Sequence, residues 1–144
     1  MIRWLNVTGF LSDRRGTSAI EFALILPVFV LILFGLVAYG VYFGAANSVQ
    51  QLAADAARAS IAGLDEDERR KLAASYINDN ASGYMLLDGS HVSVDVTSSE
   101  RSRSQFDVSI SYDAERLPIW NMHIPLPLPG KVIRRSSTIR IGGI

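Results

Sequence analysis

The longest hydrophobic pattern in this chain is an apolar stretch near the N-terminus. No charged residue lies between Glu21 and Asp55. Leu, Ile, Val, Phe, Ala and Gly fill most of these positions, and about 25 apolar residues at 1.5 Å each give roughly 37 Å of helix. That length crosses a bilayer with some tilt. We therefore predict a transmembrane span at about residues 20–44.

The apolar pattern continues beyond this span with helical spacing. Small and apolar residues recur on one side, at Val49, Leu52, Ala53, Ala56 and Ala57. The alanine-rich composition favours helix, and Gly63 is a suitable stop. We predict one long helix over residues 17–63. Its narrow alanine stripe is expected to pack against the chain's own C-terminal part, with another subunit as the alternative.

A second helix is predicted after Gly63. Asp65 is followed three residues later by Glu68, which is the spacing of a capping box. The apolar face of this helix comprises Leu72, Ala73, Tyr76 and Ile77. The acidic residues at its start lack the spacing of a calcium-binding loop. They indicate a solvated helix start rather than a metal site.

The remainder shows the two-residue alternation of strands. The valines of His91–Val96 fall on one face, and apolar and polar residues alternate over Phe106–Asp113. These runs predict an antiparallel hairpin with one buried face, joined by a polar loop over Thr97–Ser104. Val132–Ile141 predicts a third strand whose isoleucines share one side, at Ile133, Ile139 and Ile141.

Between the second and third strands lies the proline-rich segment Leu117–Gly130. Its prolines argue against a central strand. We expect it to form a lid over the apolar face of the sheet. The alternative is an exposed contact patch, around Trp120, for another protein.

Together these elements predict the α+β class, with a long N-terminal transmembrane helix extending into the periplasm, a second short helix and a small antiparallel β-sheet head. The predicted division is a cytoplasmic leader over residues 1–16, the long helix over 17–63, and a periplasmic head over 64–144.

Charge and composition exclude several functions. The chain has 14 Lys and Arg against 14 Asp and Glu, so no basic excess indicates nucleic acid. It has no Cys, which excludes disulfides, and neither His91 nor His123 has a neighbour at metal-ligand spacing. No phosphate-binding glycine loop or nucleophile elbow is present. We expect no catalytic residues, metal, cofactor or small-molecule substrate.

The flanks of the span predict its orientation. Arg3, Arg14 and Arg15 precede it, which favours a cytoplasmic N-terminus and a head outside the inner membrane. Tyr39 and Tyr42 lie toward the far end, where an aromatic belt is expected. A cleaved secretory signal is the alternative, but its apolar core would be shorter.

The run Gly16-Thr17-Ser18-Ala19-Ile20-Glu21-Phe22 resembles the processing motif of type IV prepilins of the Flp (tight adherence) class. Extended through Ala23-Leu24-Ile25-Leu26-Pro27, it is similar to the TadE-like minor pseudopilins. The resemblance implies that a prepilin peptidase cuts after Gly16 and leaves Thr17 as the mature N-terminus. Phe22 stands where the major Flp pilin usually has Tyr, and the chain is longer than such a pilin. Both departures indicate a minor component.

The residues fit such processing on physical grounds. Gly16 gives a flexible, unhindered peptide bond. Cleavage would leave a charged amine on Thr17, one helical turn from Glu21, which could pair with it or with a neighbouring subunit's amine. The alternative is that Glu21 only reaches the lipid headgroups.

Two features of the span concern its shape and packing. Pro27 removes one backbone donor, so it either kinks the helix or is simply tolerated in lipid. Gly40 and Gly44 form a GxxxG pair that could pack against another helix.

The resemblance implies a function in assembly of a Flp/Tad type IV pilus, by initiation, anchoring or capping, and partners among the other pilins and pseudopilins. The alternatives are an unprocessed single-pass inner-membrane protein whose periplasmic head binds an envelope partner, and a tethered periplasmic enzyme, which the absence of site motifs disfavours.

Overall fold

The computed structural model describes residues 15–98, 105–122 and 125–140. Within these ranges the chain forms two helices and three strands, with short 3-10 segments between them. They are α1 (Arg15–Ser60), α2 (Glu66–Asn80), β1 (Val92–Ser98), β2 (Gln105–Asp113) and β3 (Val132–Arg140). The predicted α+β class is confirmed. Predictions for the leader residues 1–14, most of the polar loop, His123 and Ile141 fall outside the described residues.

Helix α1 is a single element that continues through Pro27. At its C-terminal end the Ser60 hydroxyl donates to the Ala57 carbonyl at 2.7 Å, and the Gly63 N–H donates to the Ser60 carbonyl at 3.1 Å. The helix therefore ends within three residues of the predicted stop. This agrees with the alanine-rich composition of its second half.

The stripe of small residues on α1 packs against the chain's own head. Its members are fully buried, at Ala45, Val49, Leu52, Ala53, Ala56 and Ala57. They contact the sheet on one side and α2 on the other. Because alanine side chains are short, the sheet and α2 can approach the α1 backbone closely. The alternative left open by the sequence is thus decided in favour of the intramolecular partner.

The three strands form an antiparallel sheet in the order β1-β2-β3, with β2 in the centre. One face of β2 is buried, at Phe106, Val108, Ile110 and Tyr112. The predicted alternation is confirmed, and so is the shared side of Ile133 and Ile139, which pair with Tyr112 and Phe106. Strand β1 begins at Val92, because His91 belongs to the 3-10 turn Gly89–His91.

The predicted capping box at the start of α2 is present but shifted. The Asp65 carboxylate accepts from the Glu68 N–H at 2.8 Å, as expected. The Glu68 carboxylate accepts from the N–H of Leu64 at 2.7 Å, one residue before the position that a capping box uses. The first turn is therefore tied to the chain on both sides of the cap.

The proline-rich segment divides into two parts. In the first part Leu117 and Ile119 are buried, and the indole N–H of Trp120 donates to the Ala114 carbonyl at 2.6 Å. This part folds back onto the core, as the lid prediction stated. The second part, residues 125–130, lies against α1 and contains no strand.

A polar cluster fastens the linker after α2 to α1. The Tyr84 hydroxyl donates to the Asp55 carboxylate at 2.8 Å and lies 3.3 Å from the Tyr76 hydroxyl. Arg58 forms an ion pair with the same carboxylate. Burial, followed by the hydrogen bond with Tyr76 and the nearby Asp55 charge, raises the pKa of Tyr84 well above its usual value. The neutral phenol is therefore the form that fits the fold.

Replacing Gly63 with alanine should destabilise the head. An added Cβ would lie 2.7 Å from both the Arg69 backbone nitrogen and its Cγ, so the first turn of α2 would have to move. We expect a loss of about 1–3 kcal/mol of unfolding free energy, as for other overpacked sites. Thermal unfolding of the detergent-solubilised chain measures it. Gly83→Ala is the matched control, because its Cβ would meet nothing within 4 Å, and equal stability of the two variants would contradict the prediction.

Alkaline pH should weaken the attachment at Tyr84. Its folded pKa is raised above the ordinary value of 10.0, so its contribution to stability is fully present below about pH 10 and is lost as the pH rises further. The melting temperature of the wild type should therefore fall more steeply above pH 10 than that of Tyr84→Phe. Asp55→Asn removes the negative charge that disfavours the Tyr84 phenolate, so it should reduce this difference in slope between the two proteins. Parallel pH profiles of wild type and Tyr84→Phe would refute the assignment.

Candidate functional site in the first half of the long helix

Residues 17–34 of α1, which we call the bare segment, lie almost entirely outside the packed core. All of them are exposed except Val30 and Leu31, which are half-buried. Large apolar side chains point outward all round the helix, including Phe22, Leu24, Val28 and Ile32 at 56–71% exposure. An 18-residue window of the helix has a mean hydropathy of 2.8 and no burial within the fold. By length and composition, the helix is a candidate for anchoring the chain in a membrane.

The bare segment carries a single charge. Glu21 is exposed and forms no ion pair with another described residue. It lies one helical turn after Thr17, and Phe22 beside it is 64% exposed. These side chains are thus available to lipid or to another protein.

The predicted processing position lies near the start of the described part of α1. The described residues are helical from Arg15 onward, so Gly16 and Thr17 both belong to this helix. Cleavage between them stays a prediction.

Pro27 lies in the middle of the bare segment and is exposed. It cannot donate a backbone hydrogen bond, so the carbonyl one turn earlier, at Ala23, loses its usual partner. The helix nevertheless continues on both sides. The proline thus interrupts the hydrogen-bond ladder of α1 at one position without ending the helix.

The glycines of α1 have different surroundings. A Cβ on Gly40 would meet nothing within 4 Å, whereas one on Gly44 would lie 3.1 Å from Leu86 of the chain's own head. Packing of both glycines against another helix thus stays a prediction, since one of them already has an intramolecular neighbour. A contact of Gly35 was not predicted from the sequence, yet a Cβ at this glycine would lie 3.0 Å from Leu126. A partner about ninety positions away leaves no local signal.

A depression of about 430 Å³ lies on the head and is lined in part by His91, Asp113 and Arg134. It is shallow and open. Nearby, the hydroxyl and N–H of Ser90 donate to the Asp88 carboxylate, and these hydrogen bonds lower its pKa. The same bonds hold the turn before β1. Within the described residues, no group of three or more His, Asp or Glu side chains could hold a metal ion.

The edge of the head near Trp120 is charged. Lys131 forms a 2.9 Å ion pair with Glu115, which raises the pKa of the lysine, and its ammonium lies 5.9 Å from the centre of the Trp120 ring. Both charged side chains are more than half exposed. This pair therefore marks where polar surface begins next to the proline-rich segment.

Comparison with known proteins gives one match. The family described as TadE-like protein matches residues 16–58, a segment that lies wholly within α1 and covers less than half of the chain. Searches of curated proteins and of solved structures gave no match. The resemblance seen in the sequence from Gly16 to Pro27 is thus confirmed: helix α1 is similar to the TadE-like family over residues 16–58, which is consistent with the Tad/Flp pilus system.

Proposed function

We propose that this chain is a minor pseudopilin that takes part in assembly of a Flp/Tad type IV pilus, by initiation, anchoring or capping. The observation that carries the proposal is the position of the family match. The match begins at Gly16 and includes the whole bare segment, in which Glu21 is the only charged residue. The function thus rests on the helix rather than on a pocket in the head.

The bare segment suits an inner-membrane anchor. Leu, Ile, Val and Phe each contribute about −0.3 to −0.6 kcal/mol to insertion, and their sum exceeds the cost of about 3 kcal/mol for one carboxylate. Arg14 and Arg15 stand directly before it and favour a cytoplasmic N-terminus. The head would then lie in the periplasm, attached to the same helix.

Processing after Gly16 would change the electrostatics of the helix start. The new α-amine of Thr17 is positively charged at neutral pH. Glu21 would then lie one turn from the new N-terminus, where the helix dipole and this amine, or that of a neighbouring subunit, both favour a carboxylate. A charge at the membrane edge is tolerated best when it is paired. Pairing between subunits would guide the helix into a growing bundle.

The position of the head favours a minor subunit over the subunit that repeats along the filament. The head occupies one side of α1 from Ala38 onward, so only the bare segment is open to neighbours all round. A subunit whose upper half is already covered can join a helical bundle at its end or base without having to pack on every side. This favours initiation, anchoring or capping.

Peptidase processing is tested by the mature N-terminus. In cells that contain an active prepilin peptidase, the membrane-extracted protein should begin at Thr17, as read by N-terminal sequencing and intact mass. Replacing Gly16 with alanine or a bulkier residue should leave residues 1–16 attached, because the peptidase needs an unhindered bond. Gly40→Ala, whose Cβ would meet nothing, should be processed normally. A wild-type chain that retains Met1 would favour the unprocessed single-pass protein with an envelope partner.

Assembly is tested at Glu21. Glu21→Ala and Glu21→Gln should be cleaved normally but should reduce surface pili severalfold, because the partner amine loses its carboxylate. Immunoblots of sheared pili and of the membrane fraction measure the two steps separately. Ser18→Ala, exposed on the same part of the helix, is the matched control. Normal pili in the Glu21 variants would contradict the pairing.

A further inference from the structure

The segment Pro125–Gly130 lies against α1 at the upper end of the bare segment. Leu126 packs against Gly35, and the Tyr39 hydroxyl donates to the Pro127 carbonyl at 2.7 Å. Pro125 and Pro127 are themselves exposed. The segment is therefore held beside the helix at the level where the exposed apolar surface of α1 ends and the head begins.

Helix geometry gives the depth of this contact. At 1.5 Å per residue, Gly35 lies about 21 Å and Tyr39 about 27 Å beyond Glu21 along α1. The hydrocarbon core of a bilayer is about 30 Å thick. If Glu21 lies at one edge of the core, then residues 125–130 lie in its opposite margin.

The composition of the segment suits that position. No Asp, Glu, Lys or Arg occurs from Leu117 to Gly130. Prolines at positions 125, 127 and 129 have no N–H, so half of its six residues present no backbone donor that needs a partner in lipid. The Tyr39 hydroxyl also satisfies one of its carbonyls. An irregular backbone is normally unfavourable in lipid because its polar groups lack partners, and this segment has few such groups.

The neighbouring side chains form a membrane-interface pattern. Tyr39 and Tyr42 lie about 6 Å from the ring of Phe43, at the same level of α1. Lys131 follows the segment directly in the chain, and it pairs with Glu115 and lies over the Trp120 ring. Aromatic rings, then exposed charges, are what the boundary between lipid and water requires.

We propose that residues 125–130 insert into the outer interface of the bilayer and give the head a second membrane contact beside α1. The occupant of this apolar surface is lipid, because the surface continues directly from the bare segment. The contact would fix the rotation and height of the head above the membrane. The proposal requires that α1 is embedded, but it needs neither cleavage after Gly16 nor pilus assembly.

The chain has no cysteine, so a single introduced thiol reports one position. Full-length Pro125→Cys carries an environment-sensitive fluorophore in vesicles of phosphatidylethanolamine and phosphatidylglycerol. We expect blue-shifted emission, quenching by a lipid labelled just below its headgroup, and severalfold weaker quenching by aqueous iodide than at Leu64→Cys. Leu64 is the control because it is 89% exposed and lies beyond the end of α1.

Two further variants make the result decisive. Leu36→Cys, 72% exposed on α1, gives the signal of a lipid-embedded position, and Pro127→Cys repeats the test should Pro125→Cys lower the melting temperature. Iodide quenching equal to that at Leu64→Cys would overturn the proposal. Protection that disappears when the protein is diluted in lipid would also overturn it, because a second copy would then be the occupant.

Discussion

The whole structure depends on the contact between the alanine stripe of α1 and the inner side of the head. Alanine at positions 45, 53, 56 and 57 lets a sheet and a second helix approach one helix closely, and Phe106, Val108 and Ile110 fill the space between them. Since α1 is one continuous helix, this contact also fixes the head relative to the bare segment. Among the described residues of α1, Ala38 is the first that is fully buried.

The two halves of α1 thus have different surroundings, and their sequences differ accordingly. Bulky Leu, Ile, Val and Phe surround the bare segment, whereas small residues lie under the head. The change needs no break in the backbone, since one continuous helix from Arg15 to Ser60 runs through both compositions. It also explains why the next charge after Glu21 is Asp55: this carboxylate lies where α1 has left the apolar region, and it accepts the hydrogen bond of Tyr84 and the ion pair of Arg58.

Much of the fold could be predicted from the sequence because periodicity reports burial. The alternation in β2 and the stripe of α1 gave the correct buried faces, and Asp65 gave the correct start of α2. Gly63 was predicted as the residue at which α1 stops, but the sequence did not indicate its close contact with α2. Its φ lies outside the left-handed region, and the glycine is needed because the α2 backbone approaches it closely. Such contacts depend on residues far apart in sequence or on the angle between elements, and neither leaves a local pattern. The same holds for Gly35 with Leu126 and for Tyr84 with Asp55.

The packing of Gly44 bears on how this helix can meet others. A partner helix that used Gly40 and Gly44 together would have to displace Leu86, which already lies over Gly44. Neighbours can approach the bare segment without that cost, and the bare segment also holds Glu21, Phe22 and Pro27. The TadE-like match over residues 16–58 therefore contains two structural parts: a first half whose apolar side chains are exposed, and a second half that packs against the chain's own head. The head itself lies outside the match. A different head could be carried by the same kind of helix provided that it fitted the alanine stripe.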